Sequence, residues 1–277
     1  MTVTNYQDEG IRPVPIDRFS ALPVPRVILT DIDDTLTDGG RLGQSAYTAL
    51  WRLHDAGVKI VPVTGRPAGW CDLIVREWPV AGVVGENGAF AMFLERGRQR
   101  IHYHPNVAYD SRARLDSLKR RILAEVPGSR VSSDQPYRLF DLAIDFAEEE
   151  PDLGLETAYA IRDICREEGA EAKVSSIHVN AWYGEYSKVE MSIGFLSAVL
   201  GIPAGEQAGA VVFVGDSPND EPLFEHFPVS VGVASIRRYI GAMRHLPAYI
   251  TSAPGGAGFA EVAEVLLSKT TRALPNP

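Results

Sequence analysis

Short apolar runs that end in polar or acidic residues alternate, along much of this chain, with segments whose apolar positions recur every three or four residues. Residues 26–30 are mostly apolar and lead into acid, the pattern of a strand buried on both faces. Next, Ala46, Tyr47, Leu50 and Leu53 fall at helical spacing, and Gly57 follows as a stop. Residues 58–63 predict a second buried strand, Pro67 opens a helix to about residue 77, and 80–84 predict a third strand. Strand, helix, strand, helix, strand in this order predicts a parallel sheet with helices packed on it.

Near residue 86 the pattern changes. Residues 89–94 and 100–104 predict strands joined by a turn at 95–97, and 109–125 an amphipathic helix with Leu115, Leu118 and Ile122 on one face. Residues 138–146 alternate apolar and acidic positions and predict a strand. Asp152 caps a helix to about 168 with Ala158, Ile161 and Cys165 inward, and 173–183 predict another strand. This is an α+β pattern. After Tyr186 the parallel pattern returns, with helices at 187–200, 218–226 and 259–267 and strands at 210–214 and 229–233. The expected fold is therefore α/β: a Rossmann-like parallel sheet core, residues 1–85 and 186–277, interrupted by an α+β cap at 86–185. The first 25 residues, with Pro13, Pro15, Pro23 and Pro25, predict an extended arm.

The 277 residues suit one large domain or two modest ones, and 45% hydrophobic with 23% charged residues is ordinary for a soluble globular protein. A formal net charge of −9 argues against nucleic acid and anionic membranes as partners. With no signal-like apolar segment at the N-terminus and no apolar run of membrane-spanning length, a cytoplasmic location is expected. Cys71 and Cys165 are too few and too far apart for a disulfide framework or a metal cluster, and are expected to be buried thiols. His102 and His104 lie two apart on a strand, with no third metal ligand nearby.

The ends of the core strands carry the candidate chemistry. Asp31, Asp33 and Thr35 follow the first strand, Thr64, Gly65 and Arg66 the second, and Asp216, Asn219 and Asp220 a later one. In open parallel sheets, ligands bind beyond the carboxyl ends of the strands. Brought together there, Asp31, Asp33, Asp216 and Asp220 would repel one another unless they hold a hard cation. An all-oxygen donor set suits magnesium. Two aspartates two residues apart can also divide labour, one attacking phosphorus and one moving protons. Ser187 and Glu190 form an S-x-x-E capping box, which places Lys188 in the first turn of a helix, where its charge opposes the helix dipole. Lys188 is either a phosphoryl contact or a solvated lysine.

Asp31-x-Asp33-x-Thr35, Thr64, Lys188 and Gly215-Asp216-Ser217-Pro218-Asn219-Asp220 together resemble the four ordered motifs of haloacid dehalogenase superfamily phosphatases. The resemblance implies that Asp31 is the nucleophile and Asp33 the acid/base, and that Thr64, Gly65 and Lys188 hold the phosphoryl group. It further implies Mg2+ bound by Asp31, the Asp33 carbonyl and Asp216, with Asp220 supporting the ligand set and Asn219 positioning Lys188 or its loop. The long insertion between the second and third motifs resembles the type-two cap of subfamily IIB, which includes Cof-type and sugar-phosphate phosphatases. Glu86-Asn87-Gly88-Ala89 resembles the turn with which those caps begin.

For substrate contacts, strand alternation offers Asp141, Asp145, His178 and Asn180, which either face sugar hydroxyls or form a solvated sheet face. Arg66 either meets a second anionic group or makes a surface salt bridge. Glu86, Asn87 and Gly88 either touch substrate or form a hinge turn. The expected partner is a small phosphorylated molecule, most simply a phosphosugar, acted on by a monomer or homodimer. A phosphohexomutase-type transferase is the alternative, and a binding protein on a decayed enzyme fold is a third reading that the complete motif set opposes.

Overall fold

A computed structural model describes residues 13–19, 25–175 and 177–270. The chain begins with β1 (Val14–Pro15), β2 (Val27–Thr30), the short hairpin β3 (Thr37–Asp38) and β4 (Arg41–Leu42), α1 (Gln44–Asp55), β5 (Lys59–Pro62), α2 (Ala68–Glu77) and β6 (Val83–Gly85). It continues through β7 (Phe90–Glu95), β8 (Arg98–Tyr103), α3 (Arg112–Glu125), β9 (Arg130–Val131), β10 (Asp141–Asp145), α4 (Gly154–Glu167), β11 (Glu171–Val174) and β12 (His178–Trp182). The last part comprises α5 (Lys188–Ala198), α6 (Ala204–Ala210), β13 (Val211–Gly215), α7 (Glu221–His226), β14 (Ser230–Gly232), β15 (Tyr249–Ile250) and α8 (Gly255–Thr270).

The central sheet has the order β1-β15-β14-β13-β2-β5, with every pair parallel. The inner strands β2 and β13 are buried throughout, which is why they read as continuous apolar runs. Val27, Leu29, Val61, Val211 and Phe213 pack into one hydrophobic cluster, while Ile28, Ile60, Val212 and Val214 pack into the other. Register places the site. Val214 lies opposite Thr30, and Asp31 N–H donates to the Val214 carbonyl at 2.9 Å, so Asp31 and Asp216 leave the sheet side by side. On the other flank of β2, Val63 N–H donates to the Thr30 carbonyl at 2.8 Å, which brings Thr64 to the same edge.

The inserted α+β unit is an antiparallel sheet of order β11-β12-β10-β9. Leu118 and Ile122 of α3 and Ala158, Ile161 and Cys165 of α4 pack against Leu142, Ile144, Val179 and Ala181, forming a cluster of their own. Hairpin β7–β8 pairs instead with β6, and Ala89, Phe90 and Met92 are buried against the parallel sheet. Both cysteines are buried free thiols. Among the described residues, no helix is long and apolar enough to cross a membrane.

Several elements differ from the expectation. The strand expected at 173–183 is a hairpin, because the Ser175 hydroxyl accepts the N–H groups of Ile177 and His178 and turns the chain. The strand expected from 138 begins at Asp141, because the N–H groups of Leu139 and Phe140 are taken by the Glu86 carboxylate. The segment 218–226 is a 3-10 turn followed by the short helix α7. Within the arm, Val14 and Pro15 pair with β15, and Ile16 is buried. Pro23 and residues 1–12 lie outside the described residues. Neither β15 nor α6 was foreseen, since two-residue strands and short helices carry too little periodicity.

Gly88 sits at φ 106°, and a Cβ there would overlap the Ser187 carbonyl at the start of α5. Only glycine combines this backbone with so close an approach. Gly88→Ala is expected to destabilise the protein by about 2–4 kcal/mol, combining left-handed strain with overpacking. Equilibrium urea denaturation measures this, and an unchanged midpoint contradicts it.

Candidate active site

Four chain segments converge at the carboxyl edge of the parallel sheet. Lys188 Nζ donates to Asp31 Oδ1 at 2.9 Å across 157 residues of sequence, and lies 3.6 Å from Asp220 Oδ1. Asp31, Asp216 and Asp220 each offer an oxygen, all within 4.8 Å of one another, and all three residues are buried. The expected capping box is present, with Ser187 Oγ accepting Glu190 N–H at 3.2 Å. The solvated alternative for Lys188 is ruled out, because the residue is 6% exposed and faces the carboxylates. Asp220 is fixed by accepting the N–H groups of Asp216 and Ser217. Thr35 Oγ1 donates weakly to Asp216 Oδ1 at 3.5 Å.

The charges do not balance. Three buried carboxylates face one buried ammonium, leaving two negative charges over. Arg238, more than half exposed and 4.0 Å from Asp216, screens them weakly. Burial, opposed by Lys188 and helped by Asp220 and Asp33, pushes the Asp31 carboxyl up to about 8. Burial and the charges of Asp220 and Asp31 hold Asp216 well above the usual carboxylate range, and burial raises Asp220 as well. Burial alone would lower the Lys188 ammonium, but Asp31 and Asp220 outweigh it and raise it. Asp216 Oδ2 and Asp220 Oδ1 are buried with no hydrogen-bond partner. Two orphaned oxygens in an all-carboxylate cluster short of two positive charges fit a hard divalent cation.

Beside this cluster the loop after β5 is held from both sides. Thr64 is fully buried, and its Oγ1 accepts Arg66 N–H at 3.0 Å. Gly65 is crowded by Asn87 and Asn180, and its carbonyl accepts Arg138 Nη1 of the insertion at 2.9 Å. Arg66 is 3% exposed and lines the cavity described below, so of its two readings the surface salt bridge gives way to a buried one. Its Nε and Nη2 grip Asp33 at 2.8–3.1 Å, its Nη1 donates to Glu148 at 2.9 Å, and its guanidinium lies 4.3 Å over the Trp70 ring. Burial opposes this charge, but Asp33 and Glu148 outweigh it and raise the Arg66 pKa. Glu148 Oε2 pairs with His178 Nε2 at 2.7 Å, and that hydrogen bond pulls Glu148 down to about 2 against burial, with Arg66 contributing.

A narrow cavity of about 30 Å³ joins these parts. Asp31, Asp33, Lys188, Asp216 and Asn219 of the core line it, with Gly65, Arg66 and Asn87 at the side and Lys173, His178 and Asn180 of the insertion opposite. Asn219 faces this space and makes no hydrogen bond to Lys188 among the described residues. Thr64, Glu86, Gly88, Asp141, Asp145 and Asp220 do not line it. Of the two readings of the polar strand face, the solvated one fails, because all four of its residues are buried. On it, Asp141 is taken up by Arg138 and Asn180, and Asp145 by Arg130 and the N–H groups of residues 147–149. Glu86 is fully buried and accepts N–H groups of Ala68, Leu139 and Phe140, and burial pushes it up to about 8. It ties α2 to the insertion. His104 accepts the N–H of Asn106 and lies against Tyr186, and no metal-ligand cluster among the described residues includes it.

Sequence reasoning missed Asp134, Arg138, Glu148, Lys173 and Ser175, which sit in loops or at strand ends where periodicity is silent. Arg138 stood at the edge of an apolar run, the one signal that could have drawn attention to it.

A parallel sheet with buried carboxylates at its carboxyl edge, faced by an inserted α+β unit, is the arrangement of the haloacid dehalogenase fold. Comparison with known proteins agrees. Residues 28–110 match the family model of the haloacid dehalogenase-like hydrolases. The chain is 25% identical over 251 residues to a phosphoglycolate phosphatase of Pyrobaculum aerophilum, covering 88% of this chain and 96% of that protein. In fold it is similar to a solved Thermoplasma acidophilum protein, with TM-score 0.70, 15% identity, and 88% of this chain and 99% of that one covered. It is likewise similar to the C-terminal domain of trehalose-6-phosphate phosphatase from C. albicans, with TM-score 0.65, 16% identity and coverage of 89% and 93%. The chain is thus similar to the haloacid dehalogenase-like hydrolases in sequence over residues 28–110 and shares the fold of the solved structures over most of its length.

A carboxyl raised by burial destabilises the fold at neutral pH, because the unfolded chain gives up its proton more readily than the folded one. Asp216→Asn removes one such group without changing shape. It is expected to raise stability in chelator by about 1–3 kcal/mol and to abolish any rise in melting temperature that magnesium gives the wild type. Melting curves with chelator and with magnesium test both. A less stable variant in chelator contradicts the electrostatic account.

Proposed function

We propose that the protein is a magnesium-dependent phosphatase that hydrolyses a small phosphomonoester, most simply a phosphosugar, through an aspartyl-phosphate on Asp31. The observation that carries this reading is the Asp31–Lys188 contact of 2.9 Å beside the orphaned oxygens of Asp216 and Asp220. Asp31, the Asp33 carbonyl and Asp216, with Asp220 behind them, are the groups that would hold the cation. When bound, magnesium supplies the missing positive charge for the carboxylates and for phosphoryl oxygens.

The chain's own residues do the rest. Lys188 neutralises the phosphoryl oxygens, and Gly65, which lines the cavity, holds them in line with Asp31, with Thr64 behind it bracing the loop through the Arg66 N–H. An Asp31 oxygen bonds to phosphorus as the bond from phosphorus to the leaving oxygen breaks, and the proton carried by Asp33 passes to that oxygen. Asp33, now a carboxylate, takes a proton from water. The water oxygen bonds to phosphorus as the bond to Asp31 breaks, releasing inorganic phosphate. Phosphatase-named relatives support water as the acceptor over a sugar hydroxyl, and so favour hydrolysis over the mutase alternative.

His178, Asn180 and Asn87 supply hydrogen-bonding groups at the rim, in keeping with a sugar and with the trehalose-6-phosphate phosphatase neighbour. The space holds only on the order of a few waters, so admission of substrate requires the part of 86–185 with its own apolar cluster, α3, α4 and the β9–β12 sheet, to act as a cap that moves. One observation favours a second substrate class. Lys173 lines the cavity with no ion-pair partner among the described residues, and suits a leaving group that carries its own anion, as the Pyrobaculum relative's name implies. Lys173→Ala then raises KM about tenfold for a phosphorylated acid and leaves KM for a phosphosugar unchanged. Steady-state kinetics with both classes decides, and equal effects rule out this use of Lys173.

Asp31→Asn is nearly isosteric. It is expected to keep the fold, by circular dichroism, and to lower turnover by about 10⁴-fold or more. A chelator is expected to stop the wild type and magnesium to restore it. Phosphate release by the asparagine variant at the wild-type rate, or activity after thorough metal removal, would each overturn the mechanism.

A further inference from the structure

Asp33 is not free to turn. Both its oxygens are held by Arg66 through Nε and Nη2, and the guanidinium rests on Trp70, leaving the Nη1 edge for another partner. That edge is taken by Glu148, which the inserted unit supplies. Glu148 is itself built in. Its backbone N–H donates to Asp145 Oδ1 at 2.8 Å, as does that of Ala147 at 3.0 Å, and Arg130 holds Asp145 through Oδ2 at 2.7 Å. Its second carboxylate oxygen is held by His178 of β12, the strand whose Asn180 also reaches the cavity. A continuous polar chain thus runs from the insertion to the group proposed to protonate the leaving oxygen: Asp145, Glu148 with His178, Arg66, Asp33. The other cap carboxylate near Arg66, Asp134, lies farther off at 3.6 Å and is gripped by Arg138 through both its oxygens.

We propose that Glu148, braced by His178, is a positioning residue for the leaving-group step, setting through Arg66 the orientation in which Asp33 delivers its proton. This rests on the phosphatase reading above. Glu148 shares the guanidinium, so Arg66 need not remain locked wholly onto Asp33. Because Glu148 belongs to the insertion, Asp33 is correctly set only when the insertion is seated, which couples proton delivery to closure over the substrate. A bidentate Arg–carboxylate pair is directional, so a small rotation of the guanidinium carries the aspartate with it.

The test exploits the leaving group. An aryl phosphate leaves with little help from a proton, whereas an alkyl phosphate needs one. In a reaction through a covalent intermediate, kcat/KM contains only the steps up to its formation, so the shared hydrolysis of the aspartyl-phosphate drops out. Wild type, Glu148→Ala, Glu148→Gln and His178→Ala are assayed with magnesium on nitrophenyl phosphate and on the alkyl phosphate that the wild type turns over fastest. Glu148→Ala is expected to lose about tenfold more kcat/KM on the alkyl than on the aryl phosphate. His178→Ala should show a smaller preference of the same sign, and Glu148→Gln, which keeps an acceptor for Arg66, should recover part of the loss. Should Glu148→Ala not fold, the same ratio is read from the other two variants. Equal losses on both substrates, or no loss, overturn the positioning role while leaving the phosphatase reading intact. A wild type inactive on every phosphate overturns both.

Discussion

An uncompensated pair of negative charges, buried at the carboxyl edge of a parallel sheet, is the constraint on which this structure turns. Asp31, Asp216 and Asp220 sit within a few ångströms of one another with a single ammonium among them. Such a cluster persists only because the sheet holds it in place. β13 and β2 pair in fixed register, so the two aspartates cannot diverge, and Asp220 is pinned by two backbone N–H groups. The same charge explains Lys188. A lysine in the first turn of a helix opposes the helix dipole, and here the carboxylates in front of it outweigh that penalty. What the fold leaves unpaired, a divalent cation and a phosphoryl group are suited to complete.

A second consequence concerns the insertion. It meets the rest of the chain through an apolar seam, in which Phe140 and Trp182 join the cluster of Cys71, Ala89 and Phe90, and through polar bridges: Glu86 to Leu139 and Phe140, Arg138 to the Gly65 carbonyl, and Arg66 to Glu148. Two of these bridges end on the loop that carries Thr64. Directional contacts of this kind set orientation more strictly than apolar contacts of equal area. They join the loop that carries Thr64 directly to the insertion, although about seventy residues separate Gly65 from Arg138 in the chain.

The parallel sheet was legible because its inner strands, buried throughout, read as unbroken apolar runs, and because acid or threonine follows strands of the sheet directly. From there the convergence of Asp31, Thr64 and Asp216 needed only the rule that ligands lie beyond strand ends. Lys188 was legible through Ser187 and Glu190, whose cap places it at a helix start. What escaped is equally specific. Arg66 was left between a substrate contact and a surface salt bridge because its partners, Asp33 apart, lie in the insertion. Asp145 looked like a substrate contact, but its oxygens are consumed in shaping the loop that carries Glu148. The turn at Ser175 was hidden because a hydroxyl that reverses the chain leaves no trace in the apolar pattern. Loop geometry and side-chain pairing over long sequence separations are set by tertiary packing, to which local pattern is blind.

The central claim is that this charge cluster exists to place a carboxylate against phosphorus. It is tested most directly by acid-quenching the magnesium-supplied enzyme during turnover and mapping its peptides by mass spectrometry. The account predicts a phosphoryl group on the peptide containing Asp31, at Asp31 itself. A phosphoryl group on a different side chain, or none at any quench time while product still forms, would contradict it.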